Sequence, residues 1–123
     1  MERNVVTSQI ISAAMTVHTA LGPGLLESVY RLCLAHALKK RGLRVSSEKS
    51  IPIHFDGLAL ASGLRLDLVV EDSVVVEVKS VEKMKPLYTS QLLSYLKLSG
   101  LRTGLLLNFN VRHMRNGITR MVR

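Results

Sequence analysis

The fold is decided by the stretch LRLDLVV-EDS-VVVEVK, which runs from Leu64 to Lys79. Its two arms are apolar and β-branched, which is typical of strands buried in a sheet, and the polar residues between them predict a tight turn. Successive side chains of a strand point to opposite faces, so Glu77 and Lys79 share one face and the valines between them share the other. The stretch therefore predicts a β-hairpin that carries charge on one face.

The first arm of the hairpin predicts the same division of its side chains. Alternation places Arg65 and Asp67 on one face. The opposite, apolar face would then hold three leucines, Leu64, Leu66 and Leu68. If the apolar faces of both arms cover one core, only residues of the same face can stand opposite each other, and a slip of one residue is excluded. Arg65 is then expected opposite Lys79.

The turn fixes which carboxylates meet. A loop of Glu71–Ser73 pairs Val70 with Val74, and this register sets Asp67 opposite Glu77. Two carboxylates at cross-strand distance, roughly 5 Å between Cβ atoms, repel each other unless a proton or a cation lies between them. The hairpin therefore predicts a divalent metal site with a lysine beside it. A lattice of cross-strand salt bridges is the structural alternative, although it would favour opposite charges at the two facing positions.

Length and charge bound the class of protein. The chain has 123 residues, of which 47% are hydrophobic, so residues 1–123 are expected to form a single domain with a core of its own. The net charge of +8 favours a polyanionic partner, most often nucleic acid. The basic residues are scattered instead of lining one face of an amphipathic helix, which argues against a membrane surface. A basic protein without such a partner is the other explanation of the charge.

The compartment follows from cysteine usage and from the N-terminus. Cys33 is the only cysteine, which excludes an internal disulfide and a zinc ribbon. The first residues lead into an amphipathic segment instead of the apolar run of a signal peptide. No apolar stretch reaches the roughly 18 residues that a membrane-spanning helix needs. A soluble, cytoplasmic protein without membrane contact is expected.

Periodicity along the chain predicts an α/β sandwich with a mixed sheet. Apolar residues at helical spacing predict three helices, at about 5–20, 25–41 and 87–99. Alternating patterns predict strands at 43–47, 51–55, 58–62, continued past a bend at Gly63 into the hairpin, and 101–109. The tail has the pattern for a last strand around 118–122. The expected order is α-α-β-β-β-β-α-β, with helices flanking the central sheet. Asn108 and Asn110 mark a strand end, where hydrogen bonding to the backbone is their simplest role.

Two pairs of polar residues share helix faces. Glu27 and Tyr30 are three residues apart, and Gln91 and Tyr95 are four apart. Glu27 also suits the positive end of its helix, and a tyrosine is equally at home in a core with its hydroxyl hydrogen-bonded. Spacing alone leaves open whether these residues are functional or structural.

Together these residues resemble a known family. The segment GLLESVY, residues 24–30, resembles the signature of the GxxExxY protein family. Asp67 followed by Glu77-Val78-Lys79 resembles the split core of the PD-(D/E)XK nuclease superfamily, to which that family is assigned. The segment QLLSY, residues 91–95, is similar to the QxxxY motif of its exonuclease-type branch. The resemblance runs from about residue 5 to the C-terminus, and it departs from the pattern in having Leu66 instead of proline before Asp67.

The resemblance implies a metal-binding set. In the superfamily the Asp and Glu of the hairpin bind Mg²⁺ or Mn²⁺, which implies this role for Asp67 and Glu77. The backbone carbonyl of Val78 and a carboxylate from the first core helix, here Glu27, would complete the site. Oxygen ligands suit Mg²⁺, and the ion would activate water and stabilise charge on the scissile phosphate.

The resemblance also implies catalytic and binding roles. Lys79 would orient the attacking water or stabilise the transition state beside Asp67 and Glu77, whereas a role as base would require a depressed pKa. Gln91 and Tyr95 would position the phosphate or the lysine from the facing helix. The residues expected to contact nucleic acid are Tyr30, Arg65, Lys83 and Lys85. Small nucleases of this scaffold often dimerise, which suggests a homodimer.

The expected function is thus metal-dependent hydrolysis of phosphodiester bonds in nucleic acid, with DNA as the first choice. A catalytically silent nucleic-acid-binding or interaction module on the same scaffold is the main alternative, because the chain has no obvious separate recognition domain. Hydrolysis of a smaller phosphodiester or nucleotide is a third reading that the charge disfavours.

Overall fold

The computed structural model describes residues 1–123, which build one five-stranded sheet with helices on both faces. The helices are α1 (Arg3–Leu21), α2 (Glu27–Lys40) and α3 (Pro86–Ser99). The strands are β1 (Val45–Phe55), β2 (Leu58–Val70), β3 (Val74–Lys79), β4 (Thr103–Asn108) and β5 (Ile118–Val122), and a 3-10 turn, Met114–Gly117, precedes β5. The predicted mixed α/β sandwich and its three helices are confirmed.

The sheet has the strand order β1-β2-β3-β4-β5. Strands β3 and β4 are parallel and are joined by α3, whereas every other neighbouring pair is antiparallel. A parallel pair needs such a crossover, because a tight turn cannot return the chain to the same end of the sheet. The carboxyl ends of β3 and β4 therefore lie side by side at one end of the sheet.

The predicted order of strands needs one correction. Three strands precede α3, not four, and two follow it, so the order is α-α-β-β-β-α-β-β. The segments predicted at 43–47 and 51–55 form the single strand β1, in which Pro52 lies at a register shift between Ile51 and Ile53. Proline is tolerated there because β1 is an edge strand with one free side. The last strand, β5, confirms the one suggested in the tail.

Two apolar clusters hold the layers together. The larger contains 19 buried residues and joins α1 and α2 to one face of the sheet, where Leu68, Val76 and Val78 contribute. The smaller contains six buried residues, among them Leu92 and Leu96 of α3, and covers the other face. The sheet is thus buried on both sides, which explains the unbroken runs of valine and leucine in β3 and β4.

The outer half of the β1–β2 hairpin extends beyond both clusters. At its tip the side chains of Phe55, Leu58 and Leu60 are 74%, 56% and 45% exposed. By the β2–β3 register, this outer half projects past the carboxyl end of β3, at the same end of the sheet as Lys79. None of the three helices is long and apolar enough to cross a membrane.

Candidate active site

The β2–β3 hairpin forms with the predicted turn. Val70 pairs with Val74, and the ladder continues to Leu68 opposite Val76, as the three-residue loop requires. One step further the same register sets Asp67 level with Glu77, but the backbone ladder stops before this pair. The predicted pairing of Val70 with Val74 is confirmed, and the two carboxylates stand where the strands separate.

At this point hydrogen bonds to side-chain carboxylates replace the backbone hydrogen bonds between β2 and β3. The Asp67 N–H donates to Glu77 Oε1 at 3.3 Å, and the Val78 N–H donates to Asp67 Oδ2 at 2.8 Å. On the side where β2 pairs with β1, the pairing skips Asp67 and Glu48. Glu48 has a φ of 52°, in the left-handed region. Each carboxylate is thus held by a main-chain donor of the opposite strand.

This interruption changes the face of the sheet to which the side chains of β2 point. Leu68 packs in the cluster of α1 and α2, but Leu66 packs under α3, and the half-buried Leu64 lies against it. The prediction that the three leucines share one face is therefore wrong. Arg65 lies between two residues that face α3, so alternation directs it to the opposite side, away from Asp67. The prediction that Arg65 shares a face with Asp67 is also wrong.

Burial makes Glu77 the electrostatic centre of the site. Its side chain is 7% exposed. Burial, and secondarily the charge of Asp67, raise the pKa of Glu77 from 4.5 to about 8, against the opposing effect of the Lys79 charge. Two acids in so small a space cannot both ionise at neutral pH without a compensating cation. Their oxygens are the donors that Mg²⁺ or Mn²⁺ prefers, so the pair fits such an ion.

Lys79 ends β3 on the same face as Glu77. Its Nζ lies 4.6 Å from the centroid of the Tyr88 ring, a cation–π contact that holds the ammonium group at the start of α3. Its carbonyl oxygen accepts a hydrogen bond of 2.9 Å from the Phe109 N–H. Sequence reasoning missed Tyr88. Its helical spacing from Gln91 and Tyr95, three and seven residues, is the signal that would have found it.

Tyr95 faces the carboxylates from α3. Burial and then the charges of Glu77 and Asp67 raise the pKa of its hydroxyl, while the nearby polar side chain of Gln91 lowers it. The fold thus brings Gln91 and Tyr95 to the same place as the hairpin carboxylates. A raised pKa keeps the hydroxyl protonated, so Tyr95 remains a hydrogen-bond donor.

Glu27 lies near the site but outside the carboxylate pair. Its Oε1 accepts a hydrogen bond of 3.4 Å from the N–H of Ser80, the residue after Lys79. The hydroxyl of Ser80 in turn donates to the carbonyl oxygen of Leu25 at 2.5 Å. No three His, Cys, Asp or Glu side chains are grouped so that they would hold a metal ion. Glu27 therefore docks α2 onto the end of β3, and the structure does not gather it with the other two carboxylates.

Tyr30 lies in the core and not on the surface. Its side chain is fully buried, and its ring stacks on Phe109 with centroids 4.6 Å apart. Its hydroxyl donates to the carbonyl oxygen of Gly22 and accepts from the Leu25 N–H at 3.1 Å. The prediction that Tyr30 contacts nucleic acid is wrong, because these contacts leave no free surface. The residue instead fixes the turn that begins α2, and with it Glu27.

We expect Tyr30→Phe to destabilise the fold without touching the carboxylates. The change removes the side-chain partner of a part-buried carbonyl and of a part-buried N–H, which costs on the order of 1–2 kcal/mol. Tyr88→Phe is the matched control, since it keeps the ring under Lys79. Urea unfolding measures both; equal midpoints for Tyr30→Phe and the wild type would contradict the role of the hydroxyl.

The segment after Lys79 is held by Asn108. Its Oδ1 accepts from the N–H groups of Val81 and Asn110, each at 3.1 Å, and its Nδ2 donates to the Val81 carbonyl oxygen at 3.0 Å. The expectation that this asparagine serves backbone hydrogen bonding is confirmed. Lys83 and Lys85 are exposed in the following link to α3.

Comparison with known proteins identifies the family. No curated protein and no solved structure matches the chain significantly. A family model does match, and it covers residues 4–121, which include both strands of the β2–β3 hairpin, α2, α3 and all of α1 except Arg3. The chain therefore belongs to the PD-(D/E)XK nuclease superfamily.

Proposed function

We propose that this protein is a metal-dependent nuclease of the GxxExxY family that hydrolyses phosphodiester bonds in nucleic acid, with DNA as the preferred substrate, in the cytoplasm. The observation that carries the proposal is the pair of the half-buried Asp67 and the buried Glu77, which main-chain donors hold together at the point where two strands separate. A buried acid pair costs stability unless a cation compensates it. A purely structural hairpin would have no reason to keep one.

The metal would be Mg²⁺ or Mn²⁺. Asp67, Glu77 and the carbonyl group of Val78 would hold it, and Glu27 is the further acid near the same strand end. When bound, the ion would lower the pKa of a water molecule and neutralise charge on the scissile phosphate. The protein itself supplies the two carboxylates, which lie beside the apolar cluster under α3.

The remaining residues would act on the phosphate. Lys79, whose ammonium group is fixed over Tyr88, would orient the water or stabilise the extra negative charge of the transition state. Tyr95 would donate its hydroxyl hydrogen to a phosphate oxygen, with Gln91 holding the hydroxyl in place. Lys83 and Lys85 lie exposed next to Lys79 in the chain and would neutralise neighbouring phosphates. The net charge of +8 supports a long polyanion over a small ester.

Cleavage assays test the proposal directly. Labelled single-stranded DNA, double-stranded DNA and RNA are incubated with Mg²⁺ or Mn²⁺, with and without EDTA. We expect metal-dependent cleavage of DNA that falls by at least about 10³-fold in Asp67→Asn/Glu77→Gln, as expected when groups that stabilise transition-state charge are removed. Equal cleavage by the wild type and the double variant would exclude this site.

One observation favours the silent binding module as a second candidate. Only two of the three acids implied by the resemblance come together, because Glu27 is engaged by Ser80. A module of this kind would bind DNA with strong salt dependence and bind no divalent metal. Absence of metal binding together with such DNA binding would favour it over the nuclease.

A further inference from the structure

A concave region lies on the α1 side of the sheet, outside the carboxylate site. It encloses about 580 Å³ between the end of α1 and the segment that follows β4. Four of its nine lining residues are basic, His18, Arg112, His113 and Arg115, and none is acidic. A cavity with this lining attracts anions.

Its basic groups are not neutralised within the protein. The four ion pairs of the chain involve only Arg31, Arg44 and Lys49 as cations. The side chains of Arg112, His113 and Arg115 are exposed, and no hydrogen bond within the protein engages them. His18 is 8% exposed and its Nε2 lies 2.7 Å from the Val111 carbonyl oxygen, which fixes the ring in the cavity wall.

The cavity wall is rigid. The 3-10 turn that carries Arg115 is anchored by Met114, which is 4% exposed and packs in the larger cluster. At the end of the turn, a Cβ on Gly117 would overlap the carbonyl oxygen of Asn108, so the turn rests directly on the end of β4. Arg115 is therefore presented from an anchored turn, which lowers the entropic cost of binding.

The fold links this cavity to the active site. Lys79 and Asn108 are register partners at the carboxyl ends of β3 and β4, and Arg112 follows Asn108 by four residues. Four extended residues from Asn108 to Arg112 and one interstrand spacing from Asn108 to Lys79 add up to about 20 Å. The backbones of Arg112 and Lys79 can therefore be no further apart than this. The opposite wall contains Gly22 and Pro23, from the turn that Ser80 holds next to Lys79. At 3.4 Å per nucleotide of a duplex strand, the separation is about six nucleotides or fewer.

We propose that this cavity binds a backbone phosphate of the nucleic acid, a few nucleotides away from the bond held at the carboxylates. The proposal rests on the proposed function, since it takes the substrate to be a polynucleotide. Two guanidinium groups on one concave surface suit phosphate oxygens, which they bind in a bidentate manner. The site would secure long substrates and leave a small phosphodiester unaffected.

The test compares binding and chemistry in Arg112→Gln/Arg115→Gln. Lys39→Gln/Lys40→Gln is the control, because it removes the same charge from exposed positions at the end of α2. Binding is measured without divalent metal, by fluorescence anisotropy of a labelled duplex of about 20 base pairs with 5′-hydroxyl ends, over a range of NaCl concentrations. Chemistry is measured separately, as Mn²⁺-dependent hydrolysis of bis(p-nitrophenyl) phosphate, and circular dichroism checks folding.

We expect the arginine variant to bind the duplex about tenfold more weakly and to lower the salt slope of log K by about 1 to 2 relative to the control. Hydrolysis of the small ester should stay at the wild-type rate. Equal salt slopes in the two variants would overturn the proposal. The same duplex with 5′-phosphate ends is measured alongside, and weakened binding seen only with that duplex would overturn the backbone assignment in favour of a strand end. A lowered slope in a protein that hydrolyses nothing would reject the nuclease and support the cavity as a nucleic-acid site.

Discussion

The metal-free protein is expected to lose stability as the pH rises from 4.5 to about 8, and Glu77→Gln should abolish this loss. The pKa of Glu77 is raised from 4.5 to about 8 on folding. Below pH 4.5 both the folded and the unfolded chain carry the proton, so there is no penalty. Between the two values the unfolded chain releases a proton that the folded chain keeps, so the free energy of unfolding falls, by at most about 1.4 kcal/mol per pH unit. Above pH 8 the loss levels off.

Urea unfolding in EDTA at several pH values measures this dependence. Glutamine imitates the protonated acid, so Glu77→Gln should be flat over the same range and more stable than the wild type at pH 8, by a few kcal/mol. Added Mn²⁺ should restore stability to the wild type at pH 8 and not to the variant, because a ligand stabilises the state that binds it. Parallel curves for the two proteins would show that Glu77 ionises freely in the fold.

The second large effect is expected from Lys79→Met. The ammonium group lies over the Tyr88 ring on the face of Glu77, where charge develops on the phosphate in the proposed reaction. Its removal should lower the single-turnover cleavage rate by about 10²–10³-fold, as for other groups that stabilise transition-state charge. Metal affinity should not fall, since a positive charge next to the acids is removed.

Lys97→Met is the matched control, because it removes the same charge from an exposed position on α3. It should cleave at nearly the wild-type rate. Comparable rates for the two methionine variants would mean that Lys79 acts only through the net charge of the protein and has no place in the chemistry.

The core of the site follows from local rules. Alternation and a three-residue turn suffice to pair Val70 with Val74 and to bring Asp67 level with Glu77, because burial of one face excludes a slip of one residue. The helical spacing of Gln91 and Tyr95 likewise suffices to put both on one face of α3. These features depend on neighbours in the sequence, which is why they were predictable.

The errors arise where side chains replace backbone interactions. Alternation assumes a continuous ladder, but the carboxylates of Asp67 and Glu77 accept main-chain hydrogen bonds and interrupt it, which turns Leu66 under α3 and Arg65 away. No periodic pattern in the sequence indicates such a break. Tyr30 shows a different limit, since a conspicuous residue of a motif is equally compatible with a contact to substrate and with a buried hydroxyl that holds a turn.

Calorimetric titration with Mn²⁺ at pH 7 tests most directly whether the Asp67–Glu77 pair is a metal site. The wild type should bind the ion and release a proton, because binding requires the neutral Glu77 to ionise. The proton count follows from the heat measured in buffers of different ionisation enthalpy. Asp67→Asn/Glu77→Gln should bind no Mn²⁺ while remaining folded. Equal Mn²⁺ binding by the wild type and this double variant, or no binding by the wild type, would contradict the account.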